Sequence, residues 1–401
     1  MQITQTLEIT KTIAAPINQV YRSFISPVAL ESWFSDFAEL VPSENGRFYA
    51  SWNAGHYAAG LIKEMVENQE ISLTWRGQGE PRDTDVLITF KEEDDHVFVK
   101  VLHSNLGTTD DWIESSKAIR SGWEIALNNL KSVLETGLDK RIYDRPMLGI
   151  YPNQVIDEGI IRKFNLPVET GIQIGGVIEG LGAEAAGLQP DDVIFSLNGF
   201  ELKGFNDFAR AISGLKARDV VEVVFYRRDR KFTVDMVLSP RQTPEVPDSA
   251  ADLAKIVAQS YEDFNVEMDK ILEGVSDDEA SFSPGEKEWS AKETLVHLMY
   301  TERWLHLAIS CVVSDQRTGG FVNQLELIQA IANSYTLEDL VAELKKCEQI
   351  TVNLLAALPI DFYTDKRRCF GFTSSFGQGF AKHSFSHLPQ IEAAIAAARR
   401  S

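Results

Sequence analysis

The hydrophobic period of this chain changes along its length. Over "TLEITKTI" (6–13) apolar and polar residues alternate, and Leu7, Ile9, Lys11 and Ile13 share one face, as in a half-buried strand. A short helical stretch, "PINQVYRSFIS", follows, with Pro16 suited to a first helical turn. Five strand-like runs come next, "GRFYASWN", "YAAGLIKEMV", "QEISLTWRG", "TDVLITFKEE" and "HVFVKVLHS", separated by turn residues. Trp112, Ile119, Trp123, Leu127, Leu130 and Leu134 then recur at helical spacing, behind Thr108 and Asp111 placed as a cap. The order predicts an α+β segment over residues 1–140, a curved antiparallel sheet with one long helix packed across it.

Residues 141–241 read as a β-rich segment. Strands surround "AAGLQPDDVI", an Asn198-Gly199 turn, the helical "FNDFARAI" and a terminal hairpin turning at Arg228-Asp229. A Pro-rich linker, 242–250, leaves the next segment free to move. From 251 to 401 the strands stop. Leu253, Ile256, Val257, Phe264, Met268 and Ile271 form a helical stripe. Ser290 and Glu293 form a capping box that opens a second helix. A third helix runs from about Thr336 to Leu358, and a fourth begins near Ser375. Four helices with unequal connections predict an all-α four-helix bundle, so the fold class is multidomain.

The second and fourth helices carry the candidate chemistry. His383 and His387 lie four residues apart, an advance of about 400°, so they project from one side of a helix roughly 6 Å apart along its axis. That is the spacing by which helical histidines grip one metal, but two ligands are not a site. His297 and His306 are candidates for the third, and their nine-residue spacing sends them to opposite faces. Spacing does not choose between them. His56, His96 and His103 show no ligand spacing and read as surface or strand residues. Cys369, in "RRCFGF", reads as a loop cysteine beside two solvated arginines.

Composition narrows the partners. The 401 residues exceed one compact core, and the apolar share of 44% is that of ordinary globular protein. A net charge of −20 argues against nucleic acid and anionic membrane. No run of eighteen apolar residues appears, so no membrane span is expected. The first residues lack a basic stretch followed by an apolar run, and the three cysteines form no CxxC pair. A cytoplasmic protein without structural disulfides is the expectation.

Three resemblances add to this reading. The order strand, helix, Trp33-Phe34, Gly46, five strands and a final helix bearing "SGW" (121–123) resembles the START-like helix-grip fold, and within it the family of activators of the ninety-kilodalton heat-shock chaperone ATPase. Such folds enclose an apolar cavity, which implies a small apolar ligand near Trp33, Trp75 and Trp123. The bland alternative for these tryptophans is core packing.

Residues 141–241, with "RPMLGI", "GIQIGGVI", "AGLQPDDVI" and "LNG" in order, are similar to the PDZ domains of bacterial HtrA-type proteases. The resemblance implies that Met147, Leu148, Gly149 and Ile150 receive the C-terminal carboxylate of a partner's peptide, and that Phe208 and Ile212 form a pocket for its last side chain. Pro146 has no N–H to offer, and Asp191 stands where the family usually has Gly, which implies a changed turn. No serine-protease motif accompanies the segment.

"WSAKETLVH" (289–297) with "HSFSHLPQ" (383–390) is similar to the DinB and YfiT-like four-helix bundles. That resemblance selects His297, His383 and His387 as ligands of a divalent metal, for which Zn, Ni or Fe suits imidazole. Pro389 departs from the polar residue common there. The readings that follow are a binding scaffold, a metal-dependent enzyme for thiol transfer or hydrolysis, and a chaperone-linked or stress-linked cofactor.

Overall fold

The computed structural model describes residues 4–285, 288–320, 324–378 and 380–401. The chain folds into two compact units, one made of residues 1–138 with 244–401 and one of residues 139–243.

The first unit opens with β1 (Thr4–Ile13), then α1 (Ile17–Ile25), α2 (Pro27–Glu31), β2 (Phe37–Leu40), β3 (Arg47–Ser51), β4 (Tyr57–Val66), β5 (Glu70–Gly77), β6 (Thr84–Glu93), β7 (His96–Gly107) and α3 (Asp110–Thr136). The strands form one antiparallel sheet in the order β1-β7-β6-β5-β4-β3-β2. Strand β2, four residues long, is too short for its alternation to stand out in the sequence. The buried side of α3, with Trp112, Trp123, Leu127, Leu130, Val133 and Leu134, shares one core with the inward residues of the sheet. Thr109, one residue beyond the expected cap, precedes α3. Gly137 ends it in the left-handed region (φ 81°), and a Cβ there would meet Phe370 at 2.4 Å, so glycine is required twice over.

The second unit contains α4 (Lys140–Tyr143), β8 (Ile150–Val155), α5 (Glu158–Phe164), β9 (Ile172–Val177), α6 (Gly182–Ala185), β10 (Val193–Leu197), β11 (Phe200–Glu201), α7 (Asn206–Ala211), β12 (Val220–Arg227) and β13 (Arg230–Val237). Its sheet runs β13-β12-β10-β9-β8, with β11 paired to β10, so β8 is an edge strand. The expected turns at Asn198-Gly199 and Arg228-Asp229 are present. Asp191 keeps the left-handed backbone (φ 71°) that a glycine would take, and its Oδ1 accepts a hydrogen bond from Gln173 Nε2 at 2.7 Å.

The rest of the first unit is helical: α8 (Ala250–Leu272), α9 (Asp277–Ser281), α10 (Ala291–Val313), α11 (Leu325–Ala332), α12 (Leu337–Ala356), α13 (Ile360–Thr364), α14 (Lys366–Gln378) and α15 (Phe380–Ala398). The long helices α8, α12, α10 and α15 pack in a ring, each against two neighbours. The capping box of Ser290 and Glu293 is present. Ile256 lies outside the buried stripe of α8 and faces solvent, its place taken by Ala254 and Tyr261.

Two expectations need correction. The last long helix starts at Phe380, and the segment before it, including "RRCFGF", is the separate helix α14. Nor does the Pro-rich linker set the helical region loose, because α14 packs on α3. Arg22 Nε donates to Asp315 Oδ2 at 2.9 Å, and Arg317 reaches Glu31 and the carbonyl of Ala38. Cys369 is therefore a buried helix residue rather than a loop thiol. Burial raises its pKa, and Arg367 and Arg368 beside it are buried too.

Candidate functional site

The capping box fixes the start of α10, and two turns later His297 points into the bundle with 7% of its surface exposed. His383 and His387 stand one turn apart on α15 and are half-buried. The Nε2 atoms of His297 and His383 lie 3.2 Å apart, as do those of His383 and His387. The three ligand atoms all fall within 4.8 Å of one another. Nitrogens bound at about 2.0–2.1 Å to a tetrahedral ion stand roughly 3.3 Å apart, so the two short spacings fit one metal. His387 donates from Nδ1–H to Gln390 Oε1 at 2.9 Å, which leaves its Nε2 lone pair facing the cluster. Burial, then the neighbouring His387 and His297, pushes the His383 pKa down to about 4. A neutral imidazole with a free lone pair is the form a metal takes. Pro389 follows within the helix and withholds the N–H that would bond to the carbonyl of Phe385. The histidines nonetheless converge.

His306 is on the opposite face of α10. Its Nε2 meets the Cys347 carbonyl and Thr351 Oγ1, each at 3.0 Å, and it takes no part in the cluster. Sequence reasoning missed a second polar group in the bundle. Tyr261 donates to Glu302 at 2.9 Å, Thr351 Oγ1 donates to Glu302 at 2.6 Å, and Asn265 Nδ2 donates to Glu348 at 2.6 Å. Burial raises the pKa of Glu302 and pushes that of Glu348 up to about 8, which favours the neutral acid there. Helical spacing held the signal, since Leu344, Cys347, Glu348, Thr351 and Leu355 share the buried side of α12.

In the second unit, Met147, Leu148, Gly149 and Ile150 lead into edge strand β8 and line a groove of about 970 Å³ with Phe208 and Ile212. Gly149 has φ 82°, and a Cβ there would lie 2.6 Å from the Leu181 Cβ. The loop carbonyls are held from behind, Leu148 O by Ala183 N–H and Gly149 O by Ile178 N–H. Among the described residues the amides of Leu148 and Gly149 make no hydrogen bond. Met147 differs: its N–H donates to Ser239 O at 2.9 Å, so of the expected donors it is already spent.

Trp33, Trp75 and Trp123 come together in the first unit around a space of only about 20 Å³. That is room for about one water, where small-ligand sites need roughly 300 Å³ or more. In this conformation the indoles fill the space expected for an apolar ligand. Trp33 donates to Ser23 O at 2.9 Å and Trp75 to Glu80 Oε1 at 3.1 Å.

The third indole meets a residue the sequence reading left on the surface or a strand. Trp123 Nε1–H donates to His103 Nδ1 at 3.2 Å, and His103 Nε2–H faces Thr84 Oγ1 at 2.7 Å. Only the neutral imidazole satisfies both neighbours. His103 is fully buried, and burial pushes its pKa down to about 4. The unfolded chain, with a histidine near 6.5, binds the extra proton first. Stability from this group is therefore complete above about pH 6.5 and declines as pH falls toward 4, by roughly 3 kcal/mol in all. Urea titrations of wild type and His103→Gln between pH 4 and 7 check this, since the decline should shrink by that amount in the variant.

Comparison with known proteins finds a family match over part of the chain. The model of the family "Activator of Hsp90 ATPase homolog 1-like protein" matches residues 14–135, which supports a START-like domain there. Similar solved structures include the Aha1 dimer of Colwellia psychrerythraea, 19% identical with a TM-score of 0.29 over 33% of this chain and 97% of that one. An HSP90 activator of Plasmodium falciparum is 22% identical, with a TM-score of 0.27 over 32% of this chain and 95% of that one. Among curated proteins, the serine protease Do-like HtrA of Bacillus subtilis is 28% identical over 128 residues, 30% of this chain and 28% of that protein. The periplasmic pH-dependent serine endoprotease DegQ of Escherichia coli is 27% identical over 117 residues, 29% of this chain and 26% of that protein. The chain thus spans about a quarter of the length of these two relatives. Among the described residues, no helix is long and apolar enough to cross a membrane.

Proposed function

We propose that this chain is a metal-binding scaffold protein whose bundle holds one divalent ion on His297, His383 and His387. The observation that carries the reading is the convergence of three imidazole Nε2 atoms, two of their spacings at 3.2 Å, on two helices far apart in sequence. Zinc, nickel or iron suits such a donor set. The ring of four long helices and the HxxxH spacing support a DinB or YfiT-like bundle. When bound, the metal supplies a Lewis acid with coordination positions open to water or substrate. Metal-dependent thiol transfer or hydrolysis is the alternative on that ground. Cys369, buried with a raised pKa, is not the thiol it would use.

A second reading concerns residues 139–243. The unspent amides of Leu148 and Gly149 beside an exposed edge strand favour a PDZ-like clamp in which a partner's C-terminal peptide extends the sheet along β8. For residues 14–135, the sheet order with one long helix supports the helix-grip assignment, and the family match supports a chaperone-linked role.

Elemental mass spectrometry of the untagged full chain tests the metal reading. Near-stoichiometric divalent metal is expected, falling to background in a His383→Ala/His387→Ala variant that keeps its helical circular dichroism. Equal metal in both proteins, or none in the wild type after exposure to zinc, nickel and iron, would sink it.

A further inference from the structure

The groove of the second unit carries a charge pattern that the rest of the chain does not. Residues 139–243 hold 14 basic and 15 acidic side chains, whereas the whole chain holds 39 and 59. This unit is therefore close to neutral, and nearly all of the net charge of −20 lies elsewhere. Within the unit, the cations gather at the groove. Lys140, Arg141, Arg145, Arg210, Lys216 and Arg241 line it against one acid, Asp144.

Three of these cations are committed to neighbours. Arg141 pairs with Asp139 at 2.7 Å, Lys140 with Asp144 at 3.7 Å and Arg210 with Asp207 at 3.1 Å. Arg145, Lys216 and Arg241 form no ion pair among the described residues. The Nε of Arg241 is buried and, among the described residues, makes no hydrogen bond, as is the case for the Nε of Arg367 and of Arg368. An anionic acceptor would meet Arg145, Lys216 and Arg241 without first breaking an ion pair. The acceptor's place is indicated by the backbone. Ser239, two residues before Arg241, bridges Met147, and Arg145 lies two residues before Met147 on the other strand of that bridge. Both arginines therefore stand at the end of the groove where the Leu148 and Gly149 amides are unspent.

We propose that this groove selects C-terminal peptides whose apolar last residue is preceded by acidic residues, with Arg241 and Arg145 as the specificity-determining cations. The inference rests on the peptide-clamp reading above. The last side chain enters between Phe208 and Ile212, and its carboxylate takes the two amides. The acidic side chains next to it neutralise Arg145 and Arg241, and Lys216 adds to the same field. Such a field raises the association rate as well as the affinity and weakens with salt.

Fluorescence anisotropy with the full-length chain and labelled nonapeptides tests it. One peptide ends in Asp-Glu-Val with a free carboxylate, one in Asn-Gln-Val with a free carboxylate, and one is the acidic peptide as its C-terminal amide. At 50 mM salt the acidic acid-terminated peptide is expected to bind at least about tenfold tighter than its Asn-Gln isostere, roughly 1.4 kcal/mol. The advantage should shrink at 300 mM salt. In Arg145→Gln/Arg241→Gln the advantage of the acidic peptide over its isostere should vanish, with a circular dichroism spectrum that matches the wild type showing that the variant is folded. Equal affinity for the acidic peptide and its isostere in the wild type overturns the selectivity and leaves the clamp standing. Binding of none of the three, or no loss on amidation, overturns the clamp and the selectivity with it.

Discussion

Zinc supplied at a hundred times its dissociation constant is expected to stabilise the helical bundle by about 2.7 kcal/mol. In a domain of this size that corresponds to a rise of roughly 5–10 °C in the midpoint of thermal unfolding. The argument is one of geometry in two states. In the folded chain His297 meets His383 although 86 residues separate them. Unfolding keeps only the local His383–His387 pair, which binds a metal far more weakly than three nitrogens already in place. His297→Ala is therefore expected to abolish most of the rise, and His383→Ala/His387→Ala all of it. Melting followed by helical circular dichroism reads this directly. The same rise in the double variant would mean that zinc binds elsewhere, and no rise in the wild type would remove the site.

Replacing Asp315 by Ala is expected to destabilise the first unit by about 3–5 kcal/mol, the largest effect anticipated for any single substitution here. Asp315 lies at the junction of the amino-terminal sheet domain and the helices. Its carboxylate takes Arg22 Nε at 2.9 Å and Arg367 Nη2 at 3.3 Å. Arg367 is only 3% exposed and is shared with Asp365, so it cannot turn to water when Asp315 is lost. Removing the acid leaves a buried guanidinium with half its compensation. Asp315 also has φ 56°, a conformation that Asn accepts better than Ala, so Asp315→Asn separates the charge from the backbone and should cost less. Burial alone would raise the Asp315 pKa, but Arg367 and Arg22 hold it below the usual carboxylate value. The unfolded chain thus binds the proton first as pH falls. The contribution is complete above about pH 4 and is lost as pH drops through the folded-state value. Urea unfolding of both variants at pH 7 checks the size, and a change under about 0.5 kcal/mol for Asp315→Ala, the range of an ordinary surface substitution, would refute the account.

What the sequence made legible follows from how local each signal is. Alternation set out β1 and β3 to β7, and the Ser290–Glu293 box marked the start of α10, because both are decided within a few residues. The three-histidine cluster needed one further step, since spacing left His297 and His306 equal. In the folded chain, neighbouring helices take one on each face of α10. Helix α14 was hidden because "GFTSSFG" carries glycine and serine in place of good helix formers. Its helix is sustained by burial, with Phe372 between Phe362 and Phe376. His103 was readable in principle, because the inward register of β7 through Val97, Val99 and Val101 reaches it two residues later. The Arg22–Asp315 pair spans 293 residues and leaves no trace in either local pattern.

The discontinuity of the first unit sets a timetable during synthesis. Residues 1–138 leave the ribosome well before Asp315, 177 positions later, and α14 beyond it. At about 5–20 residues per second that interval is roughly 10–35 s. The sheet domain can close its own core in that time, but Arg22, Glu31 and the surface around Gly137 stay open until the far end of the chain arrives. The nascent protein thus carries an unpaired face that the finished one covers in part.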